Sequence, residues 1–89
     1  MGSIARFSGM IIMMYHEKNE PHSNPHIHVR NQDEAASYNI NGTLQEGSIH
    51  PQKEKKLKKW MAAHSDELKL AWNDAYHDKP IRKIGPFEK

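Results

Sequence analysis

The hydrophobic period of the chain changes at Pro51, and this change constrains the fold more than any other feature. Before Pro51, short apolar runs alternate with turn residues, a pattern typical of β-strands. After it, a stripe recurs at helical spacing: Leu57, Met61, His64, Leu68, Trp72 and Ala75. Strands followed by helix predict an α+β fold, an antiparallel sheet of three to five strands packed against a long or kinked C-terminal helix pair.

The length of 89 residues leaves room for one hydrophobic core. We therefore expect a single domain over residues 1–89, with strands over about 4–49, helical structure over 51–79 and an extended tail over 80–89. A core of this size gives modest stability, so a homo-oligomer or another partner is compatible with it.

Turn residues in the first half predict where the strands end. The apolar run from Met10 to Tyr15 follows Ser8-Gly9, which suits a bulge, a bend or a tight hairpin, and the run predicts a strand buried on both faces. Asn41-Gly42 predicts a second hairpin. A three-residue loop with Gly42 in the left-handed region would pair Tyr38 with Leu44 on one face.

The helical segment has a start signal and an internal break. Pro51 suits a first turn, and Ser65 followed by acidic residues resembles an N-cap, so we expect a kink or restart near His64–Ser65. Trp60 and Trp72 lie on or beside the apolar stripe, which favours the core over a base-stacking role. His64 is interpreted as a packing residue.

Composition excludes several classes of protein. The chain has no cysteine, so a disulfide scaffold and thiolate chemistry are excluded. No apolar run approaches the roughly 20 residues of a membrane span, and we expect a cytoplasmic protein with no membrane partner.

The segment from His26 to Arg30 carries the first candidate site. It alternates polar and apolar residues, so His26, His28 and Arg30 are expected on the face opposite Ile27 and Val29. Two imidazoles and a guanidinium could cleave an RNA phosphodiester: one imidazole takes a proton, the other donates one, and the cation stabilises charge on phosphorus. Many strands carry polar pairs without catalysing anything, so whether the protein is an enzyme stays open.

The same histidines suit a metal ion. A His-x-His pair on a strand places two imidazoles about 6.5–7 Å apart at Cα, and His22 could supply a third nitrogen beside His26 and His28. Zinc or nickel would be the ion. No cofactor is required by the acid–base alternative.

A cluster of lysines is the candidate nucleic-acid-binding surface. It lies at the start of the helical segment and, together with Arg6, could bind the phosphates of RNA or DNA. Its members are Lys53, Lys55, Lys56, Lys58 and Lys59. A solvated, lysine-rich helix face is the more common interpretation of such a cluster.

The chain also resembles a family of bacterial proteins named domain of unknown function 4160. The residues that carry the resemblance are Arg6-Phe7-x-Gly9, Met14-Tyr15, His22-x-x-Pro25-His26-Ile27-His28-Val29, Glu46-Gly47-Ser48-Ile49, Trp60 with His64, Glu67-Leu68 with Trp72, and Lys83-Ile84-x-Pro86. In this chain Ser23-Asn24 replaces the usual Asn-Pro of the family, and no histidine of the motif is lost.

The resemblance implies a partner and no catalytic residues. Members are often encoded beside a small protein of the family called domain of unknown function 2442, a pairing typical of toxin–antitoxin operons. We therefore expect an effector-like component of a bacterial two-gene module with a small antitoxin-like protein partner, acting on RNA or another phosphate-bearing target. The alternatives are a non-catalytic module that binds protein or nucleic acid, and a small metal-binding protein.

Overall fold

The computed structural model describes residues 2–15 and 24–88. Over these residues the chain forms five strands and two helices: β1 Gly2–Phe7, β2 Met10–Met14, β3 His26–Asn31, β4 Glu34–Asn39, β5 Leu44–Ser48, α1 Pro51–Ala63 and α2 Ser65–Tyr76. The strands form one antiparallel sheet in the order of the chain. The predicted α+β class is confirmed.

One face of the sheet packs against the helices. Ile27 lies opposite Tyr38, and Val29 lies between Ile12 and Ala36, so these side chains share a face. The Tyr38 hydroxyl donates a hydrogen bond to Glu54 of α1 at 2.7 Å. The core between sheet and helices also includes Met10, Met14, Leu57, Trp60, Met61, Leu68 and Ala71.

Strand β2 is buried less evenly than its apolar sequence predicts. Met10, Ile12 and Met14 are buried against the helices, whereas Ile11 and Met13 on the other face are half-buried. Full burial on both faces is therefore wrong, because the helices cover one side of this strand and β2 gains its remaining cover from its neighbours in the sheet.

Both predicted hairpins are present. Ser8 and Gly9, with φ of 53° and 79°, form the turn between β1 and β2. Tyr38 lies opposite Leu44, as predicted, and Gly42 has φ of 97°. Leu44 is nevertheless 42% exposed, so shared burial of the two side chains does not explain the register.

The helical segment restarts at the predicted position with a different cap. Helix α1 begins with Pro51 at N1, and His50 caps it by accepting a hydrogen bond at Nδ1 from the Gln52 N–H at 3.1 Å. His64, and not Ser65, is the N-cap of α2; its Nδ1 lies 2.6 Å from Glu67 Oε1. His64 makes no side-chain hydrogen bond to the backbone of α2, so the hydroxyl cap that the sequence suggests is absent, and its imidazole contacts the carboxylate at N3 instead.

The C-terminal tail pairs with β1, the first edge strand of the sheet. The amide of Arg6 donates to the Pro86 carbonyl and the amide of Glu88 donates to the Arg6 carbonyl, both at 2.7 Å. Ile81 and Ile84 of this tail pack against the core. No helix in the described part of the chain is long and apolar enough to cross a bilayer.

Candidate functional site

The candidate site lies on the sheet face opposite the core that α1 and α2 cover, which we call the open face; Trp72 of α2 reaches this face at the start of β3. Its members follow from the strand register. Met13, His28, Ser37 and Glu46 form one row across four strands, and Arg6, Ile11, Arg30 and Ala35 form the next. Tyr15, directly after β2, continues the alternation of Ile11 and Met13 on this face.

Four aromatic side chains form a continuous ring cluster at the start of β3. Tyr15 stacks on His28, with ring centroids 4.4 Å apart and an angle of 5° between the planes. His28 meets His26 edge-on at 5.0 Å, and His26 in turn contacts Trp72 of α2 at 5.2 Å. The cluster holds the His28 imidazole in a defined orientation because rings contact it on two sides.

His26 occupies a different environment from the one predicted. It lies on the same face as His28, but it is 6% exposed because Trp72 covers it. Its Nδ1 atom is 2.7 Å from the Asn24 carbonyl oxygen, which fixes the ring at the entry to β3. His26 therefore lies on the predicted face but is buried there, and it anchors the strand.

His28 lines a shallow depression of about 380 Å³ on the open face. The residues around it include Tyr15, Arg30, Ser37 and Glu46. The His28 ring is half-buried and its Nε2 atom is enclosed, whereas Arg30 and Glu46 are exposed. The depression therefore brings together an imidazole, a guanidinium, a carboxylate and a hydroxyl.

Two arginines lie on the open face with one strand between them. Arg6 on β1 and Arg30 on β3 both lie opposite Ile11 on β2, so their Cα atoms are about 10 Å apart, twice the strand spacing. Both are exposed. The open face therefore carries two guanidinium groups within reach of one extended, negatively charged ligand.

The predicted lysine cluster is not one surface with Arg6. Helix α1 packs on the opposite face of the sheet from the arginines. Lys53 donates a hydrogen bond from Nζ to the Ser8 carbonyl, and Lys56 Nζ lies 3.5 Å from Ser8 Oγ. These two lysines lie at the β1–β2 turn, while Lys55, Lys58 and Lys59 are exposed on α1.

The proposed metal ligands are divided between the described and undescribed parts of the chain. His26 and His28 lie side by side, and His22 lies outside the described residues. Among residues 2–15 and 24–88, no group of three or more histidine, cysteine, aspartate or glutamate side chains is placed to hold one ion. The zinc or nickel site stays a prediction.

Three members of the site were missed from the sequence. Tyr15 and Glu46 lie in segments that carry the family resemblance, but the resemblance gives them no role, and Ser37 lies in none of those segments. The Tyr38–Leu44 register from the Asn41-Gly42 hairpin could have placed Ser37 near β5. It would not have identified Glu46, because the register shifts by one residue at that point.

Comparison with protein families identifies the family of the chain. The family model described as Domain of unknown function (DUF4160) matches residues 9–73, from the β1–β2 turn into α2. The chain belongs to this family. The matched region contains the ring cluster, Arg30 and Glu46, whereas Arg6 and the C-terminal tail lie outside it. No curated protein and no solved structure matched the chain.

Proposed function

We propose that this protein binds single-stranded RNA on the open face and is the effector-like component of a bacterial two-gene module. The observation that carries the proposal is the pair of exposed arginines, Arg6 and Arg30, beside the stacked rings of Tyr15 and His28. Cations and aromatic rings are the two elements with which proteins bind unpaired nucleic acid.

The arginines supply the electrostatic part of this binding. A guanidinium presents several N–H donors in one plane and binds phosphate oxygens in pairs, which an ammonium group does less well. Arg6 and Arg30 lie in one row of the sheet, so a single sugar–phosphate backbone that runs across β1, β2 and β3 would contact both. Ile11 between them is half-buried and would contact the sugar edge.

The aromatic residues supply contacts for a base. Tyr15 is half-buried and lines the depression, two rows along from Ile11, so its ring offers an aromatic surface to one side of the arginine row. Stacking of a base on such a ring contributes about 1–3 kcal/mol and needs a base that is not paired. A flat sheet face with a ring at one side therefore favours a single strand over a duplex.

The test is a binding titration with a fluorescein-labelled, single-stranded RNA of eight nucleotides at low salt. We expect the double variant R6Q/R30Q to bind at least about tenfold more weakly, because two phosphate contacts are lost. The plot of log K against log salt concentration should be less steep for this variant than for the wild type by about 1.4, since each phosphate contact to a single strand contributes about 0.7 to the steepness.

The matched control is the double variant K55Q/K59Q, which removes the same charge from α1 on the other side of the sheet. It should keep at least half of the wild-type affinity. Equal loss of affinity in both double variants would show non-specific attraction and would contradict the proposal, as would the absence of binding by the wild-type protein. A DNA strand of the same sequence tests whether the ribose hydroxyl contributes.

A further inference from the structure

We propose that the open face cleaves the RNA that it binds, with Glu46 as the group that takes the 2′-hydroxyl proton and His28 as the group that protonates the leaving oxygen. This inference rests on the proposed RNA binding. The sequence suggests His26 and His28 as the catalytic pair. In the structure His28 keeps this role, and Glu46 of β5, two strands away in the sheet, takes the place of His26.

The row of residues across the sheet places the two groups correctly. His28 on β3 lies opposite Ser37 on β4, which lies opposite Glu46 on β5. The Cα atoms of His28 and Glu46 are therefore about 10 Å apart, and their side chains line the same depression. Ser37 between them has a short side chain, so the two longer ones border a space above it.

A β-bulge sets the position of Glu46. The register of β5 shifts between Ser37 and Tyr38, and Gly47, the residue after Glu46, has φ of 75°. Bulges are common beside active sites because they turn a strand and re-aim a side chain. Without the shift, Glu46 would lie opposite Ala36 instead of Ser37. Its side chain would then lie on the other face of the sheet.

The arrangement around His28 and Arg30 supplies the remaining elements. Tyr15 stacks on the imidazole, which limits its rotation, and Arg30 lies two residues along the same strand with its guanidinium exposed at the depression. A fixed cation at this position stabilises the negative charge that develops on the oxygens of phosphorus during transfer. His26 is not available for the same role, because the Asn24 carbonyl and Trp72 hold it.

The reaction balances with these groups alone. The Glu46 carboxylate takes the proton of the ribose 2′-hydroxyl as that oxygen bonds to phosphorus, and the bond from phosphorus to the 5′-oxygen breaks. Protonated His28 donates the proton of Nδ1, the ring nitrogen other than the enclosed Nε2, to the departing 5′-oxygen. The products are a 2′,3′-cyclic phosphate and a 5′-hydroxyl. Water then removes the proton from Glu46 and returns a proton to His28.

The experiment uses the full chain and a 5′-labelled RNA oligonucleotide in buffer with EDTA. Wild-type protein should produce fragments that end in a 2′,3′-cyclic phosphate, and an oligonucleotide with 2′-deoxyribose throughout should stay intact. The E46Q and H28Q variants should cleave about 10²- to 10⁴-fold more slowly, and E46Q, which lies outside the ring stack, should keep RNA affinity within about threefold of the wild type. E46D should recover part of the rate.

The control is D33N, which removes the same charge from the exposed turn between β3 and β4. It should cleave like the wild type. Folding measurements separate a catalytic role from a structural one: E46Q should keep the wild-type circular dichroism spectrum and urea midpoint although it loses cleavage.

Failure of this inference differs from failure of RNA binding. RNA that is bound through Arg6 and Arg30 and stays intact would overturn cleavage and leave the proposed function standing. Cleavage that persists in E46Q at the wild-type rate, or cleavage that stops with EDTA, would also overturn the assignment. Absence of binding in the titration would remove both.

Discussion

Gly47 shows how one backbone conformation determines the position of a candidate catalytic side chain. Its φ is 75°, in the left-handed region that side chains with a Cβ rarely adopt. A Cβ at this position would overlap the carbonyl oxygen of Ala35 on β4 and lie 3.0 Å from the Ala36 Cα atom. The absence of a side chain therefore lets β5 approach β4 closely at the bulge that places Glu46.

We predict that Gly47→Ala destabilises the protein more than Gly42→Ala. Gly42 has φ of 97°, but no atom would lie within 4 Å of an added Cβ. Gly42→Ala should cost about 1–2 kcal/mol for the left-handed conformation alone. Gly47→Ala adds a clash between backbones and should cost at least about 2 kcal/mol more.

Urea denaturation followed by circular dichroism measures both free energies of unfolding. Equal costs for the two glycines would show that β5 can move away from Ala35 freely. In that case the bulge would not constrain Glu46.

At the scale of single residues, alternation in the sequence predicted which face a side chain occupies but not what covers it. His26, His28 and Arg30 do lie on one face, as the period of two required. Their exposure differs because Trp72, distant in sequence, packs on His26 while the arginine stays in solvent. Such coverage depends on tertiary packing, which a local pattern does not encode.

Among the elements, the tail and α2 are joined by one well-aligned ion pair. Arg82 donates from Nε to Asp74 Oδ2 at 2.7 Å and from a terminal nitrogen to Oδ1 at 3.1 Å. The hydrogen bonds from Arg82 hold the pKa of Asp74 below its usual value of 3.8, although partial burial opposes this shift. The pair fixes the start of the segment that continues along β1.

This pair predicts a dependence of stability on pH. Because the pKa of Asp74 is lower in the folded state, its contribution is fully present above the unfolded pKa and is lost as the pH falls through the folded value. The urea midpoint of the wild type should therefore drop as the pH falls through and below the usual Asp value of 3.8, and Asp74→Asn should be less stable than the wild type near neutral pH.

The difference in urea midpoint between the wild type and D74N should shrink as the pH falls. The difference between the wild type and R82Q should shrink in the same way. Asp66→Asn, on the exposed first turn of α2, is the control for loss of a charge. A constant gap between wild type and D74N at all pH values would contradict an ionic origin.

The elements themselves were predictable where local signals agreed. The change of period at Pro51, the Ser8-Gly9 and Asn41-Gly42 turns and the break near His64 all appear in the structure. The predicted cap was wrong because a serine before two acidic residues fits the usual pattern, whereas a histidine that meets Glu67 does not. The end of α2 at Tyr76 comes earlier than the predicted residue 79.

At the scale of the whole molecule, the two edge strands of the sheet differ in whether another segment pairs with them. The five residues of β5 are exposed, whereas β1 on the other edge is paired with the tail through backbone hydrogen bonds from Arg6, Ile84, Gly85 and Glu88. The indole of Trp60 in α1 donates to the Gly85 carbonyl at 2.7 Å, so the tail is also held by the helix layer. The family match covers neither β1 nor the tail, and these two segments bind one another.

This pairing predicts the result of removing residues 81–89. The shortened chain would lose four backbone hydrogen bonds to β1 and the packing of Ile81 and Ile84, and it would leave the Trp60 indole without its acceptor. We expect a loss of on the order of 3 kcal/mol or more in the free energy of unfolding. An uncovered β1 edge should also pair with other chains, because unpaired strand edges promote association.

Urea denaturation and sedimentation velocity test both consequences together. Lys83→Ala is the matched control, because it alters an exposed side chain of the tail and leaves the backbone bonds to β1 intact. It should unfold like the wild type and sediment in the same way. A shortened chain that keeps wild-type stability and shows no added self-association would mean that β1 is held by β2 alone, and that the tail has no part in completing the sheet.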